Sequence, residues 1–137
     1  MSQASASPAP KPTAPPSCRG AHLICELYGA ERLDDVDHVA AALEDAAQAC
    51  GATVLDTRLH PFDENGGVTG VVLLAESHLT IHTWPEHAYA AVDVFLCGDC
   101  DPTQSLPVLQ DAFAPDTLEH QTLQRGEGEA GSESVSE

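Results

Sequence analysis

"VTGVVLLAESHLTIHTWPEHAYAAVDVFLCGDC", residues 68–100, sets apolar, strand-like runs end to end around a cluster of reactive side chains. Its first part, "VTGVVLLAE" (68–76), is a nearly continuous apolar run and predicts a strand that continues directly into the next segment. There Thr80, Ile81 and Thr83 favour extended backbone, "PEHA" (85–88) has turn chemistry, and "YAAVDVFLC" (89–97) returns as another strand before "GDCDPT" (98–103) breaks it. Strands joined by connections this short pair antiparallel. The same stretch collects the only tryptophan, three of the seven histidines and two of the five cysteines.

Outward from this centre, "GAHLICELYG" (20–29) alternates as a strand with Leu23, Cys25 and Leu27 on one side. "DDVDHVAAALEDAAQACG" (34–51) changes period: Val36, Val39, Leu43, Ala46 and Cys50 follow helical steps, Asp34 or Asp35 can cap the start, and Gly51 can end it. "ATVLDTRLHPF" (52–62) predicts a strand and "DENGG" (63–67) a turn. Downstream, a helix is expected within 102–114, burying Leu106, Leu109 and Phe113, with Pro107 either kinking it or marking its start. "TLEHQTLQ" (117–124) predicts a last strand. The expected class is α+β: a two-layer α/β sandwich, a mainly antiparallel sheet with helices on one face. The other sheet face then lacks a cover unless a second subunit supplies one.

The 137 residues suffice for one domain with a modest core. That domain is expected over 18–124, because "MSQASASPAPKPTAPPS" (1–17) is a Pro/Ala/Ser-rich run without apolar periodicity and 125–137 is an acidic tail, both expected to be disordered. The first segment has no continuous apolar stretch of the kind a secretory signal needs, so a reducing cytoplasm is expected. No apolar run approaches the roughly 20 residues that span a bilayer, and no membrane partner is expected. A net charge of −17 with Lys11 as the only lysine argues against a nucleic-acid partner. An acidic surface keeps a protein soluble, and it also fits a salt-rich cytoplasm in which self-repulsion is screened. Cys25 and Cys50 sit among apolar residues and are expected in the core.

Three chemistries compete for the central segment. Zinc could be held by Cys97 and Cys100 of "CGDC" with His82 and His87 of "HTWPEH", although these histidines flank a turn and the chain is long enough to build a core without metal. A thiol redox pair lacks the helix that should begin at the CxxC, which leaves Cys100 as a surface thiol. Ser77 lacks the glycine-flanked elbow of serine hydrolases. A hairpin with polar groups on its exposed face accounts for any one of these residues alone, but not for all of them together.

"ESHLTIHTWPE" (76–86) followed by "YAAVDVFLCGD" (89–99) resembles the signature of the prokaryotic S-adenosylmethionine decarboxylase proenzymes. The resemblance extends from "GAHLICELYG" through "GATVLDTRLHPF" and "GVTGVVLLAE" to the last strand, about residues 20–124. It implies a chain that cuts itself at Glu76–Ser77, giving a β chain of 1–76 and an α chain of 77–137. Ser77 then becomes a pyruvoyl group, a covalent cofactor made from the polypeptide, which forms a Schiff base with the substrate amine.

The implied roles suit the residue types. Ser77 Oγ attacks the Glu76 carbonyl carbon to form an ester, a step helped by positioning and by strain at the scissile bond. His82 removes the Ser77 α-proton, so that the ester oxygen leaves with Glu76, and imidazole suits this transfer near neutral pH. Thr69 stands where the family commonly has a serine that supports processing, and it keeps the hydroxyl in a stiffer form. Cys97 matches the thiol that returns a proton to the substrate carbon. Glu86 matches a carboxylate gripping ribose hydroxyls. Phe62 matches an aromatic packing on adenine and the sulfonium, and Trp84 is either a further ligand contact or an anchor for the turn.

Strand parity puts Ser77 and His82 on opposite faces, so either a bulge intervenes or cleavage frees Ser77 to turn toward His82. By the same parity His78 shares the His82 face and reads as a neighbouring polar residue. The resemblance further implies S-adenosyl-L-methionine as substrate, decarboxylated S-adenosylmethionine and carbon dioxide as products feeding spermidine synthesis, and a homodimer of processed αβ protomers packed into a four-layer αββα sandwich. The alternatives are a pyruvoyl-dependent arginine or ornithine decarboxylase on the same scaffold, a non-enzymatic zinc-binding module, and a processing-dead partner subunit.

Overall fold

In the computed structural model, residues 19–126 and 135–136 are described. Strand β1 (Gly20–Tyr28) leads into helix α1 (Val36–Ala49), followed by β2 (Val54–Pro61), β3 (Val68–Leu74), β4 (Ser77–Trp84) and β5 (Tyr89–Cys97). Helix α2 (Leu106–Phe113), β6 (Thr117–Arg125) and the two-residue β7 (Val135–Ser136) complete the chain. All strand pairs are antiparallel and form one sheet in the order β2-β3-β4-β5-β1-β6-β7. The meander β2 to β5 follows from short connections, and β1 then inserts beside β5 to bring the first and last long strands together.

Helix α1 begins where expected because the Asp35 side chain accepts the His38 backbone N–H at 3.1 Å. Its periodic residues Val39, Leu43 and Ala46 are fully buried against the sheet, with Leu23, Leu27, Leu79, Ile81 and Val94 opposite. Pro107 marks a helix start rather than a kink: it lies in the first turn of α2, where its missing N–H has no partner to lose, after a short 3-10 segment Pro102–Ser105. Leu109 and Phe113 of α2 complete the core, while Leu106 is only partly buried. Burying each such Leu or Phe contributes about 1.5–3 kcal/mol, which makes the helix-facing side of the sheet the source of stability.

Burial alternates along β4 from His78 onward and along the whole of β5. Leu79, Ile81, Val92 and Val94 face the helices, whereas His78, Thr80, His82, Asp93 and Cys97 lie on the other face, which no described element covers. Among the described residues, no helix is long and apolar enough to cross a membrane.

Two expectations change. The strand expected over 68–76 does not run on into the next segment: it ends at Leu74, and the chain reverses at Ala75–Glu76, with Leu74 paired to Ser77. No Gly, Asn or Asp announces that turn, because Glu76 itself takes the left-handed conformation, φ 65°. The last strand reaches Arg125, one residue into the expected acidic tail, and Val135–Ser136 pair with Leu123 and Thr122. The tail expected over 1–17 lies outside the described residues, as does 127–134.

Candidate active site

The β3–β4 turn is two residues long, and its second residue is Glu76. A non-glycine side chain in the left-handed region is held there at a cost of about 1–3 kcal/mol. Ser77 follows as the first residue of β4, and β5 delivers Cys97 to the same place. The Cys97 backbone N–H donates to Ser77 Oγ at 3.1 Å, and the Cys97 thiol donates to the Glu76 carbonyl oxygen at 3.0 Å. One residue therefore holds both the hydroxyl and the carbonyl of a strained peptide junction. Cys97 is half-buried, whereas burial pushes the Cys25 and Cys50 thiols up to about 12 and about 11 and leaves them inert core side chains, as expected. Cys100 is a correction: it is partly buried and packs against the core rather than lying free on the surface.

The opposite end of β4 carries a second group. Thr69 pairs in register with His82, and Thr69 Oγ1 lies 3.3 Å from His82 Nδ1. The His82 ring packs at 6.2 Å from Trp84, which stacks on Tyr89 at 5.3 Å, and Tyr89 in turn stacks on Tyr28 at 5.4 Å. Beside them is a cleft of about 310 Å³ whose walls include Phe62, Asn65, Thr69, His82 and Trp84. Phe62 is 46% exposed and Trp84 38%, so both rings are available to a ligand. Glu86 stands at the rim and accepts from Asn65 Nδ2 at 3.3 Å.

The cleft is fixed from beneath by Thr83. Its buried hydroxyl donates to the Leu33 carbonyl at 2.9 Å and accepts the Val68 N–H at 2.8 Å. Gly67 is required there, because a Cβ would sit 2.7 Å from the Thr83 carbonyl oxygen. A larger groove of about 670 Å³ runs between α1 and α2 on the far side of the sheet and contains none of these residues.

Ser77 and His82 are therefore far apart. β4 pairs with β3 and β5 in unbroken register, so no bulge intervenes, and five residues of strand separate them by about 17 Å. The expectation that turning Ser77 after cleavage would close this gap is corrected, since no single side-chain rotation spans it. Within one chain the zinc reading fails on the same geometry, because Cys97 and Cys100 lie at one end of the β4–β5 hairpin and His82 and His87 at the other.

Between the two ends lies a cluster absent from the sequence reading. Asp93 accepts from Thr80 Oγ1 through one oxygen, while its other oxygen lies 2.5 Å from His22 Nε2 and 3.4 Å from His78 Nε2. Burial pushes the Asp93 carboxyl up, but the Thr80 and His22 hydrogen bonds and the two imidazoles outweigh it and hold the group below the usual carboxylate range. The signal was present in "AAVDVFLC", where one acid in an apolar strand shares its parity with Cys97.

Known proteins confirm the resemblance. The family model described as S-adenosylmethionine decarboxylase matches residues 21–126. The chain belongs to the S-adenosylmethionine decarboxylase family. It is 44% identical over 108 residues to the S-adenosylmethionine decarboxylase proenzyme of Thermomicrobium roseum, covering 78% of this chain and 93% of that one. To the proenzyme of Methanococcus vannielii it is 46% identical over 110 residues, covering 78% and 89%. The crystal structure of the adenosylmethionine decarboxylase from Aquifex aeolicus superposes with a TM-score of 0.69 at 32% identity, covering 86% of this chain and 98% of that one. The crystal structure of the Trypanosoma brucei AdoMetDC-delta26 monomer, at 17% identity and TM-score 0.55, shares the fold.

Proposed function

We propose that this chain is a proenzyme that cuts itself between Glu76 and Ser77 and then decarboxylates S-adenosyl-L-methionine. The observation that carries this reading is the double contact of Cys97 with Ser77 Oγ and the Glu76 carbonyl oxygen across a left-handed Glu76. The backbone N–H orients the hydroxyl, and the thiol polarises the carbonyl it attacks, stabilising the oxygen on which charge develops. Passing from peptide to ester releases the turn from its unfavourable φ, so part of the driving force is stored locally. The pyruvoyl group expected at residue 77 supplies a carbonyl electrophile able to accept the electrons left by departing carbon dioxide. The proton that returns to the substrate carbon comes from the Cys97 thiol, a role supported by its 3.0 Å contact with the Glu76 carbonyl oxygen at this junction.

Within one chain, His82 and Thr69 cannot reach residue 77. The reading therefore includes a homodimer in which the uncovered sheet faces pack together as a four-layer αββα sandwich. A twofold axis crossing the middle of β4 brings its Ser77 end over the partner's His82 and the partner's Thr69. There the imidazole takes the residue 77 α-proton, and the Thr69 hydroxyl holds His82 in orientation. The Phe62–Trp84 cleft and Glu86 then receive the nucleoside: the rings take adenine and the sulfonium, and the carboxylate accepts from the ribose hydroxyls. These features favour a nucleoside over a basic amino acid. A highly acidic chain also attracts a substrate with a positive sulfur.

The test is intact-mass analysis under denaturing conditions. Two fragments meeting at residues 76 and 77, with the second blocked to Edman degradation, are expected for the wild-type protein, and one full-length chain for Ser77→Ala. An uncut wild-type chain would overturn the reading.

A further inference from the structure

Cleavage changes what holds residue 77. In the uncut chain three ties fix it: the peptide bond to Glu76, the pairing of Ser77 with Leu74, and the Cys97 N–H on Ser77 Oγ. Cutting removes the first, and the Ser77 oxygen leaves with Glu76, which removes the third. Chain ends fray unless something else anchors them. The residue that must stay beside Cys97 thus becomes the end of a strand just as it becomes reactive.

The next residue, His78, is rooted in a network drawn from four strands. Its Nε2 lies 3.4 Å from Asp93 Oδ2, and its ring meets Phe95 at 5.7 Å and the edge of His22 at 5.9 Å. Asp93 is held in turn by Thr80 Oγ1 and by His22 Nε2 at 2.5 Å. The Arg125 guanidinium at 3.1 Å from His22 Nδ1 donates to that nitrogen, so Nε2 carries the hydrogen that His22 gives to Asp93. His22, His78 and Asp93 bring potential metal-ligand atoms within 4.8 Å of one another. A protonated Nε2 beside a guanidinium offers no lone pair to a cation, so the cluster is built as a hydrogen-bonded anchor.

We propose that Asp93, through His78, is a clamp that holds the new chain end at residue 77 against Cys97 once the backbone has been cut. Asp93 is a positioning residue that acts through His78. The inference rests on cleavage at Glu76–Ser77 and goes beyond it by giving the cut enzyme a requirement that the uncut chain does not have.

That conditional requirement is what the experiment reads. Hydrogen exchange of the peptide covering residues 77–84 is measured on the full chain carrying Asp93→Asn, in the self-cutting background and in the uncuttable Ser77→Ala background, with cleavage followed by mass. In the cut protein, exchange at residues 78–80 is expected to rise about fivefold, the equilibrium equivalent of one ordinary hydrogen bond. In the uncut background it should stay within about twofold, because the covalent turn still holds the strand. Cleavage itself should proceed at close to the wild-type rate. His78→Phe keeps the ring and loses the bond, so it should repeat the pattern even if Asp93→Asn folds poorly.

Equal acceleration in both backgrounds would make the network a general fold element and overturn the proposal, as would no acceleration in the cut protein. A wild-type chain that never cuts sinks the parent reading instead, so the two failures are distinguishable.

Discussion

The two ends of β4 are built differently. At the Ser77 end, the important contacts are made to backbone: Cys97 N–H on the serine, the Cys97 thiol on the Glu76 carbonyl, and Glu76 in a conformation that its side chain disfavours. At the His82 end, side chains meet across paired strands, with Thr69 against His82 and an aromatic series running through Trp84, Tyr89 and Tyr28. One end stores strain at a peptide junction, and the other sets an imidazole beside a ring-walled cleft; in the proposed function the first holds the atoms to be rearranged and the second takes their proton. Neither end is a complete site. A flat sheet keeps its two ends apart because extended backbone cannot fold back on itself, and in the proposed reading a second copy combines them.

Loss of the Ser77 end should have the largest effect. Ser77→Ala abolishes cleavage, and Cys97→Ala, tested on whatever fraction still cuts, lowers kcat about 100-fold or more while leaving substrate binding nearly intact. Steady-state kinetics on purified cut protein check this; full turnover by Cys97→Ala would break the assignment.

The division between ends is tested most directly by complementation. His82→Ala alone should cut about 100-fold or more slowly. Co-expressed with Ser77→Ala, it should cut again, because mixed dimers join an intact Ser77 to an intact His82 of the partner. Fragment masses report the outcome, and failure to restore cutting would return both residues to one chain.

A smaller effect isolates the strained turn. Glu76→Gly in the Ser77→Ala background should raise unfolding stability by about 1 kcal/mol, since glycine takes a positive φ without strain. In the self-cutting background the same change should slow cleavage roughly fivefold, the rate equivalent of that energy. At the other end, Thr69→Val removes the hydroxyl at nearly constant shape and should slow cleavage several-fold, while Thr69→Ser keeps pace with the wild type; a time course of fragment appearance decides.

The smallest effect lies between the ends and depends on pH. The folded Asp93 carboxyl titrates below its unfolded value, so its contribution to stability is full above about pH 4 and fades as pH falls through the lower folded value. Asp93→Asn should therefore reduce the melting temperature at pH 6 and lose that deficit at the acid end of the titration. A deficit that stays constant with pH would mean that the carboxylate charge is not what matters.

Much of this protein could be read locally. The helix over 34–51 declares itself through Asp35, a 3.6-residue apolar period and Gly51, and the strand around Leu23 through alternation, because capping and face burial act between residues close in sequence. The family motif at 76–99 likewise named Ser77, His82 and Cys97 before any geometry was available. The turn at Ala75–Glu76 was hidden because a residue forced into a rare conformation leaves no mark in composition. Asp93 with His22 was hidden because their contact spans 71 positions in the chain and exists only once β1 has inserted beside β5. The separation of Ser77 from His82 also waited for the fold. A motif orders residues along the chain, whereas the straightness and register of β4 determine that two residues five apart face opposite ways and sit about 17 Å from each other.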